Sequence, residues 1–434
     1  MTYSRYNYFL QDTKNSMLLF NSLHGEFIRL IDDKGRIAEY VSRIKKREVT
    51  DGLFTDILTK HKMIVPYEDD EARDLIRLKE CVIDEKDTLN LIILPTEKCN
   101  FRCIYCYENH QNKTMTRETV EQIYEFVKPR LPQLRGIALN WFGGEPLLSV
   151  DLIETITLQI KEYARPYGVR VVGSMTTNGY ILSPAMVNRL KKCNVFDYQI
   201  TVDGPSHVHD RQRFLSNGKG TWKEIVSNLL DIRDTCKSGM LNFKIRVNLS
   251  KAIYREYKRF FAELSEWFGD DRRFEFLLRL VSDYGNMTEE TRNSLFCTEE
   301  EYIEVLTYML KLDMKCVSMK AMLDPGGLLC YAFKKNSFVI MPDGTIRKCT
   351  LNLENDINYV GHLSKPDIDY DAFFFQEQEG MDRCKYCEKY PICLKVNCNM
   401  STNEEAQCDI DIRSWDVLLP LLANEKYKCI EYHL

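Results

Sequence analysis

Between Leu89 and Leu312, strand-like and helix-like segments alternate six times. Only a parallel sheet with crossover helices accommodates that rhythm. The strand candidates are Leu89–Leu94, Gly136–Phe142, Val169–Met175, Tyr198–Val202, Phe243–Leu249 and Phe274–Val281. Helical spacing runs through Arg117–Val127, Leu152–Ala164, Pro184–Leu190, Trp222–Arg233, Arg255–Phe268 and Glu299–Leu312. Thr116, Ser149, Ser183, Thr221 and Thr298 stand where helix N-caps belong. An α/β fold follows, as an open doubly wound sheet or a partial barrel. Either form puts an active site at the C-terminal ends of the strands.

The flanking segments differ in character. Residues 1–66 read as a separate module, with strand-like runs around the turn signals at Asp12–Asn15 and His24-Gly25. Short helices follow at Ile37–Ile44 and Leu53–Leu58, then an apolar run at Met63–Val65, a winged-helix-like pattern. Residues 67–87 read as a linker helix, with Ala72, Leu75, Ile76 and Leu78 on one face. Residues 88–314 hold the alternating segments. Residues 315–434 are turn-rich and carry seven closely spaced cysteines, a composition best stabilised by metal.

The whole chain has 434 residues, 59 basic and 64 acidic, with 44% hydrophobic residues, which describes a soluble globular protein with a large core. Its longest apolar runs, such as Leu91–Pro95, fall far short of the roughly eighteen residues of a membrane span. No charged-then-apolar signal segment opens the sequence, and a cytoplasmic setting is expected. Charge blocks are short and mixed in sign, so a nucleic-acid partner is not expected.

Sixteen cysteines in such a chain point to metal ligands rather than a secreted disulfide framework. Cys99, Cys103 and Cys106 follow the first strand directly, at spacings of four and three. One loop can thus supply three of the four thiolates of a cubane iron-sulfur cluster, leaving one iron for an outside ligand. The alternative is a zinc site short of a ligand, with His110 the only nearby histidine. The second group is Cys330, Cys349, Cys384, Cys387, Cys393, Cys398 and Cys408. Two structural zinc knuckles are the competing account of that group. Cys81, Cys193 and Cys236 read as packed small hydrophobes, and His207 and His209 as structural residues.

The Cys99–Cys106 loop, with aromatic Tyr105 before its last cysteine, resembles the hallmark of the radical S-adenosylmethionine (SAM) superfamily. Gly143-Gly144-Glu145-Pro146 after the second strand is similar to the family's GGEP motif. Thr176-Thr177-Asn178-Gly179 ends the third strand, and Thr201-Val202-Asp203-Gly204-Pro205 the fourth, with His209–Arg213 just beyond. The resemblance implies a partial (β/α)6 TIM-type barrel. It also implies that the GGEP loop holds the amino group of SAM, with Thr177 and Asn178 in the same site. Thr201 would contact the ribose and Arg213 the carboxylate, while Leu249 and the Tyr105 backbone would contact adenine.

The second group of cysteines resembles the SPASM extension, which holds two auxiliary [4Fe-4S] clusters, three clusters in all with the first. By that pattern Cys384, Cys387, Cys393 and Cys408 enclose the outer cluster, and Cys330, Cys349 and Cys398 hold the inner one. Four residues separate Cys393 from Cys398, where the family commonly places the sixth cysteine three after the fifth. Cys316, Cys429 or a substrate thiolate would complete the inner cluster.

The N-terminal module resembles, in pattern and position, the leader-recognition element of peptide-modifying radical enzymes. Together these resemblances imply a peptide maturase that crosslinks a ribosomally made precursor, with a thioether favoured over a carbon-carbon bond. Electrons would come from a flavodoxin or ferredoxin. The competing functions are a sulfatase-type formylglycine maturase and a non-enzymatic iron-sulfur or zinc scaffold.

Overall fold

The computed structural model describes all residues except 50–51, 67–70, 284–286, 352, 354, 366, 370–383, 385–386 and 395–409. The chain forms two units. The first comprises Met1–Asp84, Ser318–Cys330 and Glu377–Leu434, and the second Glu85–Val317 and Tyr331–Gln376.

In the first unit, β1 (Thr2–Tyr3) precedes an antiparallel meander of β2 (Asn7–Thr13), β3 (Ser16–Asn21) and β4 (Glu26–Ile31). Helices α1 (Ile37–Lys46) and α2 (Leu53–Lys60) follow, then β5 (Ile64–Val65), which pairs with β1. Every residue of β3 is buried because both faces of the sheet are covered. Met17 and Leu19 join Ile28, Leu30, Ile57 and Leu58 in one apolar cluster. On the other face Phe20 meets Trp415 edge-on, with ring centroids 5.2 Å apart; Trp415 opens the helix Trp415–Leu422.

Helix α3 (Glu71–Ile83) occupies the segment expected to be a linker. It belongs instead to the first unit, because the buried Glu71 carboxylate accepts hydrogen bonds from the Ser4 hydroxyl and the Arg5 N–H. A carboxylate placed under two donors ties a helix down in a way that its apolar spacing does not reveal.

The second unit is built on six parallel strands in sequence order: β6 (Thr88–Ile93), β7 (Gly136–Trp141), β8 (Arg170–Thr177), β9 (Val195–Thr201), β10 (Asn242–Leu249) and β11 (Phe274–Leu280). Their crossovers carry α4 (Arg117–Val127), α5 (Val150–Ala164), α6 (Pro184–Lys191), α7 (Ser206–Gln212), α8 (Trp222–Thr235), α9 (Lys251–Tyr254) and α10 (Tyr257–Phe268). After β11 come α11 (Glu289–Leu295) and α12 (Glu299–Lys311). This is the α/β fold of a partial (β/α)6 barrel.

Thr116 and Ser183 cap their helices, and Thr298 forms a full capping box with Glu301. Thr221 does not cap α8. The Asp210 carboxylate accepts from the Thr221 and Trp222 N–H groups instead, at 2.7 and 2.8 Å, so the helix start is satisfied from α7. Ser149 makes no side-chain cap bond either; Glu145 caps the short 3-10 turn Pro146–Ser149 that leads into α5.

The sheet also continues past β6, where the sequence pattern suggested a separate region after residue 315. β12 (Ser337–Ile340) runs parallel to β6, and β13 (Thr345–Arg347) and β14 (Tyr359–His362) add antiparallel, making nine strands. The graft is fixed by a fully buried Lys348, whose Nζ donates to the Lys334 and Ser337 carbonyls at 2.6 and 2.7 Å. The last strand, β15 (Ile430–His433), pairs parallel with β4 in the first unit. Among the described residues no helix is long and apolar enough to cross a membrane.

Candidate active site

The loop after β6 carries Cys99, Cys103 and Cys106 across the C-terminal end of the sheet. Its path is set by backbone bonds to the strand-like segment after α7. Arg102 N–H donates to Phe214 O at 2.8 Å and Ile104 N–H to Gln212 O at 3.0 Å. The loop after β7 locks against it from the other side, with Glu145 N–H donating to Lys98 O at 2.8 Å. Gly143 and Gly144 make that approach possible. A Cβ on Gly144 would lie 2.2 Å from Lys98 O, and Gly143 holds φ +93, a left-handed conformation that suits glycine.

The Glu145 carboxylate is fully buried and already engaged. It accepts from Leu147 N–H at 3.0 Å, Thr177 Oγ1 at 2.8 Å and Asn178 N–H at 2.7 Å, stitching the β7 and β8 loops together. Burial pushes its pKa up, against those hydrogen bonds.

All three thiols line one cavity of about 170 Å³, open to solvent at its mouth. Gly143, Gly144, Thr177, Asn178 and Thr201 share the lining at strand ends, joined by Arg213 from the end of α7. Burial pushes the Cys99 and Cys106 thiols up to about 12 and raises Cys103 as well. Bare thiolates are therefore disfavoured here, and the site calls for a positive partner. Among the described residues no three His, Cys, Asp or Glu side chains converge as a single metal ion requires. In a cubane cluster each thiolate meets a different iron, which suits three thiols that face one cavity from a single loop.

Tyr105 anchors the loop from below. Its hydroxyl donates to the Asp203 carboxylate, and accepts from Arg213 Nη1 at 2.9 Å and Asn248 Nδ2 at 3.2 Å. Asp203 is completely buried and also accepts the Asn248 N–H at 2.7 Å. Burial raises its pKa, with Arg213 pulling the other way. Burial disfavours the Arg213 charge too, but Cys103, Tyr105 and Asp203 more than offset it. The Arg213 Nε is buried with no hydrogen-bond partner. A donor in that state, on a cavity-lining cation, fits an anionic ligand group such as a carboxylate.

His209 fixes the position of this arginine. Asp203 N–H donates to Nδ1 at 3.0 Å, so Nε2 carries the proton toward Thr221 Oγ1 at 3.2 Å. The Thr221 hydroxyl in turn donates to Arg213 O at 2.7 Å. Burial holds the His209 pKa well below its usual value, so the ring stays neutral.

Three expected contacts fall outside the cavity lining, Glu145 among them, its carboxylate taken up by the β8 loop. Pro146 lies outside the cavity lining, buried under the glycines. Leu249 has no exposed surface and is also absent from the lining, where Asn248 and Arg246 stand instead. The cause is strand parity: on β10, Phe243, Ile245, Val247 and Leu249 share the buried face, and residues 246 and 248 the other. Gln199 and Thr201 on β9 obey the same rule. Period-two alternation was the signal that could have found Gln199, Arg246 and Asn248.

Of the second group of cysteines, Cys330 is exposed, Cys349 buried, and Cys384, Cys387 and Cys393 are half-buried. Cys349 follows β13, and its N–H donates to Asn358 Oδ1 at 2.8 Å. Cys316 is buried and bridges to Phe276 on β11, while Cys429 is buried just before β15. Cys398 and Cys408 lie outside the described residues.

Residues 93–245 match the model of the radical SAM superfamily. The chain is 23% identical over 336 residues to the cysteine-type anaerobic sulfatase-maturating enzyme of Clostridium novyi, covering 70% of this chain and 87% of that one. It is 23% identical over 263 residues to the radical SAM cyclopropyl synthase TigE of Paramaledivibacter caminithermalis, covering 52% and 53%. Among solved structures it resembles native anSMEcpe with bound AdoMet and Cp18Cys peptide, with TM-score 0.60 and 17% identity. That match covers 77% of this chain and 98% of the other, and shows a shared fold.

Proposed function

Residues 93–245 of this chain form a radical SAM domain, and from that premise we propose that the protein is a peptide maturase that crosslinks a ribosomally made precursor. The observation that carries the reading is the single cavity shared by three loop thiols, a glycine-seated loop and a partnerless arginine donor. When bound there, a [4Fe-4S] cluster and SAM would supply a 5'-deoxyadenosyl radical able to take hydrogen from an unactivated carbon of the peptide.

The chain's own residues bind and orient. Cys99, Cys103 and Cys106 would hold the cluster, and Gly143 and Gly144 expose backbone to the amino group of SAM. Arg213 would receive the carboxylate, while Thr201 and Asn248 face the rest of the cofactor. Phe101, Phe142, Leu280 and Val281 give the cavity apolar walls that exclude water around a reactive carbon. Cys330, Cys349, Cys384, Cys387, Cys393, Cys398 and Cys408 would hold two auxiliary clusters, an outlet for the electron released on bond formation. A thioether is the favoured bond. A flavodoxin or ferredoxin would supply the first electron.

The test is anaerobic reconstitution with iron and sulfide, followed by SAM and reductant. Release of 5'-deoxyadenosine is expected, with loss of product when Cys99, Cys103 or Cys106 becomes Ala. About twelve iron atoms per chain are expected for three clusters, and a value near four would remove the auxiliary sites.

A second reading, a formylglycine-forming sulfatase maturase, is favoured by the 87% coverage of the Clostridium novyi relative. Mass spectrometry separates the two. Loss of two hydrogens with a sulfur-carbon bond supports the crosslink, and an aldehyde on a cysteine or serine supports the alternative.

A further inference from the structure

The four-stranded sheet of the first unit has an occupant at one edge that its sequence did not announce. β15 pairs with β4 in parallel register, Ile430 opposite Ile28 through His433 opposite Ile31, and Leu434 N–H donates to Ile31 O at 2.9 Å. An open β4 would present a row of unpaired backbone groups, an edge to which extended peptides add.

The hold on β15 is light. Ile430 and Glu431 are each 46% exposed, and no side chain of the strand is fully buried. Its side chains are nevertheless read at two points. Arg29 keeps Nε and Nη2 on the buried Asp12 carboxylate and turns Nη1 to Glu431 at 3.2 Å. The Tyr432 hydroxyl accepts from Lys60 Nζ at 3.1 Å and lies 2.7 Å from His61 Nε2, with its ring against the apolar cluster of the module. Backbone bonds, rim contacts and the packing of Tyr432 and Leu434 on that cluster hold a strand of only four residues, which places it among the elements of a fold that open most readily. Arg29 is held by Asp12 and His61 by Glu26, so both stay aimed at the edge without it.

We propose that β15 is a resident stand-in for the leader of the precursor peptide, and that the leader binds by exchanging with it on β4. The occupant is accordingly an extended peptide with a carboxylate opposite Arg29 and an aromatic hydroxyl at the next position. The exchange rests on the peptide-maturase reading, and it adds a gate to it: the module is closed to weakly matching peptides until one competes β15 away.

The test uses a fluorescein-labelled peptide with the sequence of residues 428–434, serine replacing Cys429. It is titrated into the full chain and into the chain lacking residues 430–434. If β4 is open in less than about a tenth of full-length molecules, the deletion tightens binding by about tenfold or more. Arg29→Ala in the deleted chain is expected to reverse most of that gain. Equal affinity for both chains, no binding by the deleted chain, or indifference to Arg29→Ala overturns the proposal. Should the deletion fail to fold, the full-length double variant E431A/Y432A keeps the strand without its side-chain anchors, and must show the same direction of change. The readout is binding, so a chain that exchanges its strand yet makes no 5'-deoxyadenosine refutes the proposed function and leaves the exchange standing.

Discussion

Replacing Gly144 with alanine tests the contact on which the cofactor site is built. The added Cβ would sit 2.2 Å from Lys98 O and 2.6 Å from Glu97 O, both backbone atoms of the cysteine loop. No side chain can swing away to make room. To go from 2.2 Å to an ordinary contact of 3.4 Å, the two loops must part by about 1.2 Å. That displacement also stretches the bond from Glu145 N–H to the same Lys98 oxygen. Overpacking of this kind costs about 1–3 kcal/mol. A shift of about 1 Å in a positioned reactant costs on the order of 100-fold in rate. The expected variant therefore folds with reduced stability and forms 5'-deoxyadenosine about 100-fold more slowly. Chemical denaturation and single-turnover product analysis under anaerobic conditions measure the two effects. Gly239→Ala is the control, because a Cβ there meets nothing within 4 Å. Stability within about 0.5 kcal/mol of the parent and an unchanged rate for Gly144→Ala would refute the proposed role of the glycine pair.

Two further outcomes are expected. The folded-state pKa of His209 is depressed by burial, so its contribution is present above the unfolded value of 6.5 and is lost as pH falls below it. From pH 7.5 to 5.5 this removes up to about 1.4 kcal/mol, and His209→Gln should flatten that part of the stability profile; parallel slopes would count against it. Leu249→Ala is expected to cost about 2–5 kcal/mol through the cavity it leaves with SAM affinity little changed. Asn248→Ala should weaken SAM binding in equilibrium dialysis, and the reverse pattern would mean that the assigned faces of β10 are exchanged.

The six strands of the barrel were legible because each carries a short apolar run bounded by turn residues, as in Leu89–Leu94 and Phe243–Leu249. The site was legible where chemistry is local in sequence, as in Cys99–Cys106 and Gly143–Pro146. What escaped was tertiary. Asp210 caps a helix that begins twelve residues later, and nothing in the spacing says so. β12 looked like part of a cysteine-rich tail, yet Asn90 Nδ2 reaches Ser337 Oγ at 2.7 Å across 247 residues. β15 alternates as Ile-Glu-Tyr-His, but four residues are too few for that pattern to announce a strand, and the main-chain groups that pair with it lie about 400 positions earlier.

The anchoring of the cysteine loop bears on how such a protein is made. Its fixings run from protein to protein: Arg102 to Phe214, Ile104 to Gln212, Lys98 to Glu145, and the Tyr105 hydroxyl to Asp203. A zinc finger must find its metal in order to fold, and its synthesis is hostage to metal supply. Here the contacts that shape the cradle run between protein groups. Loss of metal from this loop is therefore expected to leave those contacts standing, where it would unfold a zinc finger.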